Sequence, residues 1–252
     1  MKLISLNIEL NRRYKTVLPF LKREKPDIIC LQEVLEEDFN YLKNEINMDG
    51  TLKIFSLVKW IGYGDLRGKK QGVAIFSKNI LNSGSVFYEG KEENLAKPFM
   101  EYMSDKKFHK NRVFLWSEVK DNKGKIFKLI NTHLPVTKNG EASSYQLRVL
   151  ESLLKELEAF PEFILCGDMN APRGNETFTR LAKKYKDNIP SKYKTSINYA
   201  LHRNGKAMLT EKKQFMVDGL FTTPAYNASN VKLVDGISDH MAVVANIEVV
   251  YN

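Results

Sequence analysis

In the stretch Asp27-Ile28-Ile29-Cys30-Leu31-Gln32-Glu33, a continuous apolar run is followed directly by an amide and a carboxylate. Such a run is typical of a β-strand that is covered on both faces. Polar side chains placed where a covered strand ends lie at the rim of the sheet. The stretch therefore predicts a buried sheet and a polar position at its edge.

Four further polar clusters have the same form, because each stands where an apolar run meets a loop. The clusters are spread from the first residues to the last, so only the fold can gather them into one site. A site built from both ends of the chain does not straddle an independent linker, and no Gly/Ser-rich or Pro-rich stretch suggests a boundary. We therefore expect residues 1–252 to form a single domain. The clusters are Asn7, Asn131-Thr132-His133-Leu134, Gly167-Asp168-Met169-Asn170 and Ser238-Asp239-His240.

Strand-like segments outnumber helical ones, and the helical segments lie between them. Two helix starts are indicated by capping residues: Thr16, with Pro19 tolerated in the first turn, and Ser143, with Gln146 in the matching position of a capping box. Two sheets packed on each other, with the helices outside, would cover both faces of the buried strands. We expect the strand ends to present the polar clusters at one rim.

The chain is basic, with a formal net charge of +9 at pH 7. This charge favours a polyanionic partner, such as nucleic acid or an anionic membrane face, although a generally basic proteome would produce it as well. No run approaches the roughly 20 apolar residues of a membrane span, and the first residues do not resemble a signal peptide. We therefore expect a cytoplasmic protein without a transmembrane segment. Length and pattern leave the oligomeric state open, and a monomer is our expectation.

Carboxylates, amides and imidazoles together suit the hydrolysis of a phosphate ester. A divalent cation offsets the negative charge that develops on the phosphate oxygens, and magnesium prefers oxygen ligands, usually with one or two carboxylates. Glu33 fits this role, although a solvated glutamate at a strand end is the ordinary alternative. Asp168 and Asn170 are separated by one residue, so in an extended loop they point the same way and can position a water. The alternative is a simple turn, because Gly, Asp and Asn favour turns.

Two histidines and further aspartates complete the set. Asp218 lies within an apolar strand, where a carboxylate is costly unless it is paired, and a histidine such as His240 is a natural partner. Asp239 is placed to ligate a metal or to polarise a neighbouring group. His133 ends another strand, where a satisfied surface histidine is the ordinary alternative. The whole set is harder to attribute to chance than any one member.

Taken in order, these motifs resemble the endonuclease/exonuclease/phosphatase superfamily, which has the deoxyribonuclease I-like fold. The resemblance implies an α/β fold, namely a four-layered α/β sandwich of two packed mixed β-sheets flanked by helices. It also implies phosphoester hydrolysis with Mg²⁺, for which Mn²⁺ is an expected substitute. The residues that carry the resemblance extend over essentially the whole chain: Ser5-Leu6-Asn7, Cys30-Leu31-Gln32-Glu33-Val34, Gly72-Val73-Ala74-Ile75, Asn131-Thr132-His133-Leu134, Gly167-Asp168-Met169-Asn170, Asp218 and Ser238-Asp239-His240.

The resemblance also implies roles for individual positions. Glu33 resembles the principal metal ligand, with Asn7 beside it and Asp239 as a second carboxylate on the metal side. The implied catalytic residues are Asp168, Asn170, His240, Asp218 and His133. Asp168 resembles the residue that orients or activates the attacking water, and Asn170 resembles a phosphate contact. His240 resembles the phosphate-binding histidine that Asp218 orients. His133 resembles the second catalytic histidine of members with the Thr-His-Leu form, where it acts as the acid for the leaving group.

The substrate is less constrained by these motifs. Residues 59–70 and 98–112 mix aromatic and basic side chains, as surfaces that stack bases and contact phosphates do, although ordinary solvated loops have the same composition when their aromatics fill the core. The Thr-His-Leu form resembles the tyrosyl-DNA phosphodiesterase and sphingomyelinase branches. We expect an endonuclease, exonuclease or 5′-tyrosyl-DNA phosphodiesterase acting on nucleic acid. A phospholipid or phosphoinositide head-group hydrolase is the alternative, and an inactive binding module is a third. The expected substrate-binding residues are Arg112, Trp60, Lys69 and Lys70.

Overall fold

A computed structural model describes residues 1–59, 61–96, 111–211 and 214–250, and these residues form two six-stranded sheets. The first sheet contains, in spatial order, β11 (Tyr226–Val234), β12 (Ala242–Val249), β1 (Lys2–Asn7), β2 (Ile28–Leu35), β4 (Lys70–Ser77) and β3 (Asp49–Leu57). The second contains β5 (Ile80–Glu89), β6 (Arg112–Lys120), β7 (Ile126–His133), β8 (Ile164–Asp168), β10 (Asp218–Thr222) and β9 (Lys186–Asp187).

Each sheet has one parallel pair of strands at its centre, β1 with β2 and β7 with β8, and the other pairs are antiparallel. A parallel pair needs a crossover connection, and in both cases the connection contains a helix. The carboxyl ends of the paired strands then lie at the same edge. The α-helices of the described ranges are α1 (Tyr14–Glu24), α2 (Phe39–Ile46), α3 (Ser144–Leu157), α4 (Glu176–Lys184) and α5 (Gly205–Thr210).

The apolar run in β2 is covered on both faces. Ile28 and Cys30 belong to the core between the two sheets, whereas Ile29 and Leu31 belong to the core between the first sheet and helices α1 and α2. The second sheet is covered on its outer face by helices α3 and α4. The prediction of a four-layered α/β sandwich, with two packed mixed sheets flanked by helices, is confirmed.

The two predicted helix caps have different outcomes. The Ser143 side chain accepts a hydrogen bond from the Gln146 backbone N–H at 3.1 Å and caps α3, as the sequence predicts. Thr16 lies inside α1, which begins at Tyr14, so its prediction as the cap is wrong. Its hydroxyl donates instead to the carbonyl of Ile237 at 2.6 Å. A tertiary contact therefore uses the group that the local pattern assigned to capping.

A buried amide pair joins the two sheets beneath the polar rim. The Gln32 side chain donates to Asn131 Oδ1 at 2.7 Å, and Asn131 Nδ2 donates to the carbonyls of Leu31 and Ala74, both at 2.9 Å. Both amide residues are fully buried. Gln32 and Asn131, two polar residues of the strand-end clusters, thus hold the two sheets together.

Replacing the Asn131 side chain by an apolar one of similar size tests whether the amide pair holds the two sheets together. We expect Asn131→Leu to lower the free energy of unfolding by about 2–4 kcal/mol, because buried hydrogen-bonding groups on Gln32 and on the first sheet lose their partner. Urea unfolding monitored by circular dichroism measures the change. Asn122→Ala, in the exposed turn between β6 and β7, is the matched control and should leave stability unchanged. Equal stabilities of the two variants would contradict a role of the Gln32–Asn131 pair, which we call the amide clamp, in holding the two sheets together.

Candidate functional site

The predicted site residues converge at one rim of the sandwich. Asn7 ends β1 and is paired with Gln32 of the parallel strand β2, while His133 ends β7 and is paired with Asp168 at the end of the parallel strand β8. Asp218 begins β10 and lies opposite Asp168 in the antiparallel pair of β8 and β10. The register of the two sheets therefore collects side chains that are far apart in the chain.

A bulge in β2 turns Glu33 out of the regular ladder. Gln32 pairs with Val73 and Val34 with Gly72, so Glu33 has no partner in β4. Its φ angle is +60°, in the left-handed region that residues other than glycine adopt with difficulty. Bulges of this kind redirect a side chain next to functional sites, and here the bulge directs the carboxylate towards Asn7.

Asn7 links the two sheets at the site. Its side-chain Nδ2 is 3.2 Å from Glu33 Oε1 and 3.2 Å from Asp168 Oδ2, and donates to both carboxylates. Its Oδ1 accepts from the backbone N–H of Glu9 at 3.1 Å, which fixes the orientation of the amide. Asp168 and Glu33 are consequently held on either side of one amide.

Asp168 is buried and has two imidazoles beside it. Its Oδ2 lies 3.3 Å from His133 Nε2 and 3.7 Å from His240 Nε2, and its Oδ1 accepts the backbone N–H of Asn170 at 2.8 Å. Burial raises the pKa of Asp168, while the two histidines and the Asn170 N–H act in the opposite direction. On balance the pKa of Asp168 is raised, because burial and the charge of Asp218 outweigh these favourable contacts.

The two histidines differ in charge. His240 Nδ1 is 2.8 Å from Asp218 Oδ2, and although burial opposes the charged ring, Asp218 and Asp168 hold the pKa of His240 well above its usual value. Burial lowers the pKa of His133 to about 4, against the opposing charge of Asp168, so this ring is neutral near pH 7. Asn170 Nδ2 lies 2.9 Å from His133 Nε2 and donates to the Leu134 carbonyl at 3.0 Å.

The acidic groups suit a bound cation. Burial and the charge of Asp239 raise the pKa of Glu33 to about 7, a sign that two carboxylates share one enclosed space. A divalent cation relieves that repulsion, and the carboxylates of Glu33 and Asp239 are the oxygen ligands that hard cations prefer. Asn7 was predicted as a further ligand, but its Nδ2 faces Glu33 and its Oδ1 accepts from the Glu9 N–H, so it positions the Glu33 carboxylate. A second group, Asp168, Asp218 and His240, has ligand atoms within 4.8 Å of one another and could also hold a metal ion.

The side chains of Asn7, Glu33, Asp168, Asp239 and His240 line a cavity of about 270 Å³, whereas Asp218 lies behind His240 and outside the lining. The lining also includes residues that the sequence analysis did not identify. His202 and Arg203 lie in a loop between β9 and α5 and do not follow a strand, so the strand-end pattern gave no signal for them. Lys59 also lines the cavity; burial, together with the nearby charge of Arg112, lowers its pKa to about 7. Tyr63 lines the cavity as well, and both Lys59 and Tyr63 belong to the basic and aromatic segment 59–70 of the sequence analysis. Phe55 and Gln71, on either side of that segment, complete this part of the lining.

The predicted substrate-binding residues have different locations. Arg112 lines the cavity, with its guanidinium 5.5 Å from the centre of the Phe55 ring. Lys69 and Lys70 form ion pairs with Glu37 and Glu36 and are outside the cavity lining, so their contact with a longer substrate stays a prediction. Trp60 lies outside the described residues, as do residues 98–110 of the second basic and aromatic segment.

No helix within the described ranges has the length and apolar character needed to cross a membrane.

The chain has no significant match among curated proteins. Solved structures with the same fold include the human Nocturnin catalytic domain with bound sulfate, at 18% identity, a TM-score of 0.70 and coverage of 99% of this chain and 93% of that one.

Two further structures of the same fold have equally low identity. TDP2 of D. rerio, complexed with a single-stranded DNA product, gives 16% identity, a TM-score of 0.67 and 98% coverage of both chains. The mannosyl-6-phosphatase of Bacteroides thetaiotaomicron gives 14% identity, a TM-score of 0.69 and coverage of 98% of this chain and 99% of that one. The family model for the Endonuclease/Exonuclease/phosphatase family matches residues 4–240. This chain therefore belongs to the endonuclease/exonuclease/phosphatase family, whose members are phosphoric ester hydrolases.

Proposed function

We propose that this chain is a Mg²⁺-dependent phosphodiesterase that hydrolyses phosphoester bonds in nucleic acid. The observation that carries the proposal is the contact of Asn7 with both Glu33 and Asp168. The Asn7 amide connects two parts of the site: Glu33, whose carboxylate suits a cation, and Asp168, which is buried between two imidazoles. Metal-assisted attack of water on phosphorus requires these two parts side by side.

Glu33 and Asp239 would hold the cation, with Mn²⁺ as a substitute for Mg²⁺, and Asn7 would hold the Glu33 carboxylate in place through the hydrogen bond from its Nδ2. When bound, the metal would supply positive charge against the charge that builds on the phosphate oxygens. Glu33 and Asp239 line the same cavity, and the negative charge of Asp239 repels that of Glu33 when both carboxylates are ionised. We place the metal here rather than at Asp168, Asp218 and His240, because His240 Nδ1 already forms a 2.8 Å hydrogen bond with Asp218.

The remaining groups would carry the proton and the phosphate. Asp168 would orient the attacking water and accept its proton as the new oxygen–phosphorus bond forms. The leaving oxygen would depart with the electron pair of the broken bond and take up a proton from solvent. His240, held by Asp218 and positively charged, would donate a hydrogen bond to a phosphate oxygen. Asn170 would contact the same phosphate. His133 is neutral near pH 7, so it would act as a hydrogen-bonding partner of Asn170 rather than as a second positive charge.

The charge of the chain supports a polyanionic substrate. The net charge is +9, and Arg203 and Arg112 line the cavity that contains the catalytic groups. Lys59 also lines it, but with its pKa lowered to about 7 it is only partly protonated at neutral pH. Cations around a reaction centre increase the local concentration of nucleic acid and contact its phosphates. Two of the proteins with the same fold, Nocturnin with sulfate and TDP2 with a single-stranded DNA product, bind anionic ligands.

The proposal is tested by a panel of phosphoesters: single-stranded DNA, RNA, 5′-tyrosyl-DNA, sphingomyelin, a phosphoinositide and mannose 6-phosphate. We expect the fastest turnover on a nucleic-acid substrate in Mg²⁺, loss of turnover in EDTA, and recovery when Mg²⁺ or Mn²⁺ is added back. Faster turnover of a lipid or sugar phosphate would replace the proposed substrate. Turnover of none of them with any divalent metal would support a binding module instead.

A further inference from the structure

The turn after β1 is strained and carries a buried carboxylate. Glu9 and Leu10 have φ angles of +50° and +61°, so two consecutive residues other than glycine lie in the left-handed region. Such angles are costly and persist where the surrounding structure fixes them. Only 2% of the Glu9 side chain is exposed. The turn therefore directs a carboxylate into the protein interior two residues after Asn7.

Two arginines in the segment between β1 and α1 neutralise Glu9. Arg12 Nη1 donates to Glu9 Oε1 at 2.8 Å, and Arg13 Nε donates to Glu9 Oε2 at 2.7 Å. A buried carboxylate is costly unless it is paired, and here each oxygen has a guanidinium of its own. Glu9 and both arginines lie outside the lining of the catalytic cavity. The three residues form a network behind the cavity wall.

The stability of α1 does not account for these arginines. Arg13 directly precedes the helix, and within the described residues its side chain makes no capping hydrogen bond. The first turn contains no acidic residue. The amino end of a helix carries a partial positive charge, so basic side chains are unfavourable there. The contribution of the two guanidiniums therefore lies in contacts outside the helix.

Arg13 extends the network to the loop between β9 and α5. Its Nη2 donates to the carbonyl of Leu201 at 2.9 Å. The next two residues, His202 and Arg203, line the catalytic cavity. The backbone N–H of Leu201 donates in turn to Asn198 Oδ1 at 3.0 Å. Leu201 is thus held at its N–H and at its carbonyl, and the loop is fixed directly before the two residues that line the cavity.

Arg12 extends the network to a second part of the cavity wall. Its guanidinium lies 5.2 Å from the centre of the Tyr63 ring, within the range of a cation–π contact. Tyr63 lines the catalytic cavity and also packs against the apolar cluster that contains Leu10. The strained turn therefore supports Tyr63 in two ways, through the arginine that pairs with Glu9 and through the cluster of Leu10.

We propose that Glu9 is a positioning residue that fixes the walls of the catalytic cavity against which the substrate binds. Through Arg13 it holds the loop that carries Arg203, and through Arg12 it holds Tyr63. The inference rests on the proposed function, under which an anionic phosphoester enters the cavity and Arg203 contacts it. Loss of the network weakens substrate binding more than the chemical step, because Glu9 is outside the cavity lining.

Arg13→Lys tests the connection to the loop without a change in net charge. An ammonium is a compact point charge and does not reproduce the planar guanidinium, whose Nε and Nη2 contact Glu9 and Leu201 at once. We expect backbone amides of residues 198–205 to exchange hydrogen for deuterium at least about tenfold faster in the ligand-free variant. Mass spectrometry of the full-length protein measures the exchange, and the melting temperature shows that the variant is folded.

Two further variants complete the exchange experiment. Glu9→Gln removes the charge that Arg12 and Arg13 share, and it should speed exchange both in residues 198–205 and in the segment that contains Tyr63. Arg23→Lys, at the other end of α1, is the matched control, because Arg23 is exposed and is outside the cavity lining. It should leave exchange in both segments unchanged.

Kinetics separate positioning from a general loss of structure. On the best substrate of the phosphoester panel in Mg²⁺, Arg13→Lys should raise KM at least about threefold and change kcat less than about twofold. Arg203→Ala removes the cation that the loop carries. In that background Arg13→Lys should change KM less than about twofold, because the two substitutions act through the same contact. Arg23→Lys should leave KM unchanged.

Three results would overturn the inference. They are unchanged exchange of residues 198–205 in folded Arg13→Lys, a fall in kcat at unchanged KM, and an effect of Arg13→Lys on KM that is equally large in the Arg203→Ala background. If the wild-type protein hydrolyses no phosphoester, but exchange of the loop responds to Arg13→Lys and not to Arg23→Lys, the proposed function fails and the positioning of the cavity walls by Glu9 stands.

Discussion

Asp168→Asn is expected to lower kcat by about three orders of magnitude with little change in the fold. The substitution keeps the size of the side chain and its acceptor for the Asn170 N–H, but removes the negative charge that lies beside Asn7, His133 and His240. Loss of a general base typically costs 10²–10⁴ in rate. Initial rates on the best nucleic-acid substrate in Mg²⁺ measure the effect, and the melting temperature checks that the protein is folded.

The matched control for this variant is Asp187→Asn. Asp187 is a partly buried aspartate of the same sheet, but it pairs with Arg173 at 2.8 Å and lies outside the catalytic cavity. Its substitution should change stability more than kcat. If Asp168→Asn retains more than about a tenth of the wild-type rate, Asp168 is not the group that activates water.

Glu33→Gln should abolish tight Mg²⁺ binding and, in the metal-free protein, raise the melting temperature at pH 8. Burial and Asp239 raise the pKa of Glu33 to about 7, so at pH 8 its ionised carboxylate destabilises the folded state relative to the unfolded chain. A neutral amide removes that repulsion while it still accepts from Asn7. A gain of about 1 kcal/mol corresponds to roughly 2–4 °C in a chain of this size.

Two measurements separate these effects. Calorimetric titration with Mg²⁺ should show affinity reduced by at least about 100-fold, and thermal unfolding in EDTA should show the higher melting temperature. Glu36→Gln, in the exposed segment directly after β2, is the control and should leave both quantities unchanged. Wild-type Mg²⁺ affinity in Glu33→Gln would exclude Glu33 as a ligand.

The positions of the strands and of most site residues follow from local pattern. The apolar run before Gln32 predicts a doubly covered strand because both of its faces carry apolar side chains, and the structure places a core on each. Polar residues after such strands were expected at one rim. The parallel pairing of Asn7 with Gln32 and of His133 with Asp168 explains why they meet there.

The rest depends on tertiary contacts that a local pattern does not contain. Gln32 and Asn131 have the same strand-end form as the catalytic groups, yet they face each other across the sheets and form a clamp. The pattern could not separate the two roles, because both need polar side chains at the end of a covered strand. His202 and Arg203 reach the cavity from a loop, and only the folded chain shows which loops border the rim.

Glu33 and Asn170 both adopt left-handed backbone angles, with φ values of +60° and +47°. Glycine is the residue best suited to such angles, and a side chain there costs about 1 kcal/mol or more. Asparagine tolerates such angles because its short side chain can hydrogen-bond locally, whereas glutamate has no such advantage. Replacement of Glu33 by glycine would therefore relieve backbone strain and remove the carboxylate at the same time. Stability and the proposed metal site consequently make opposite demands on this one position.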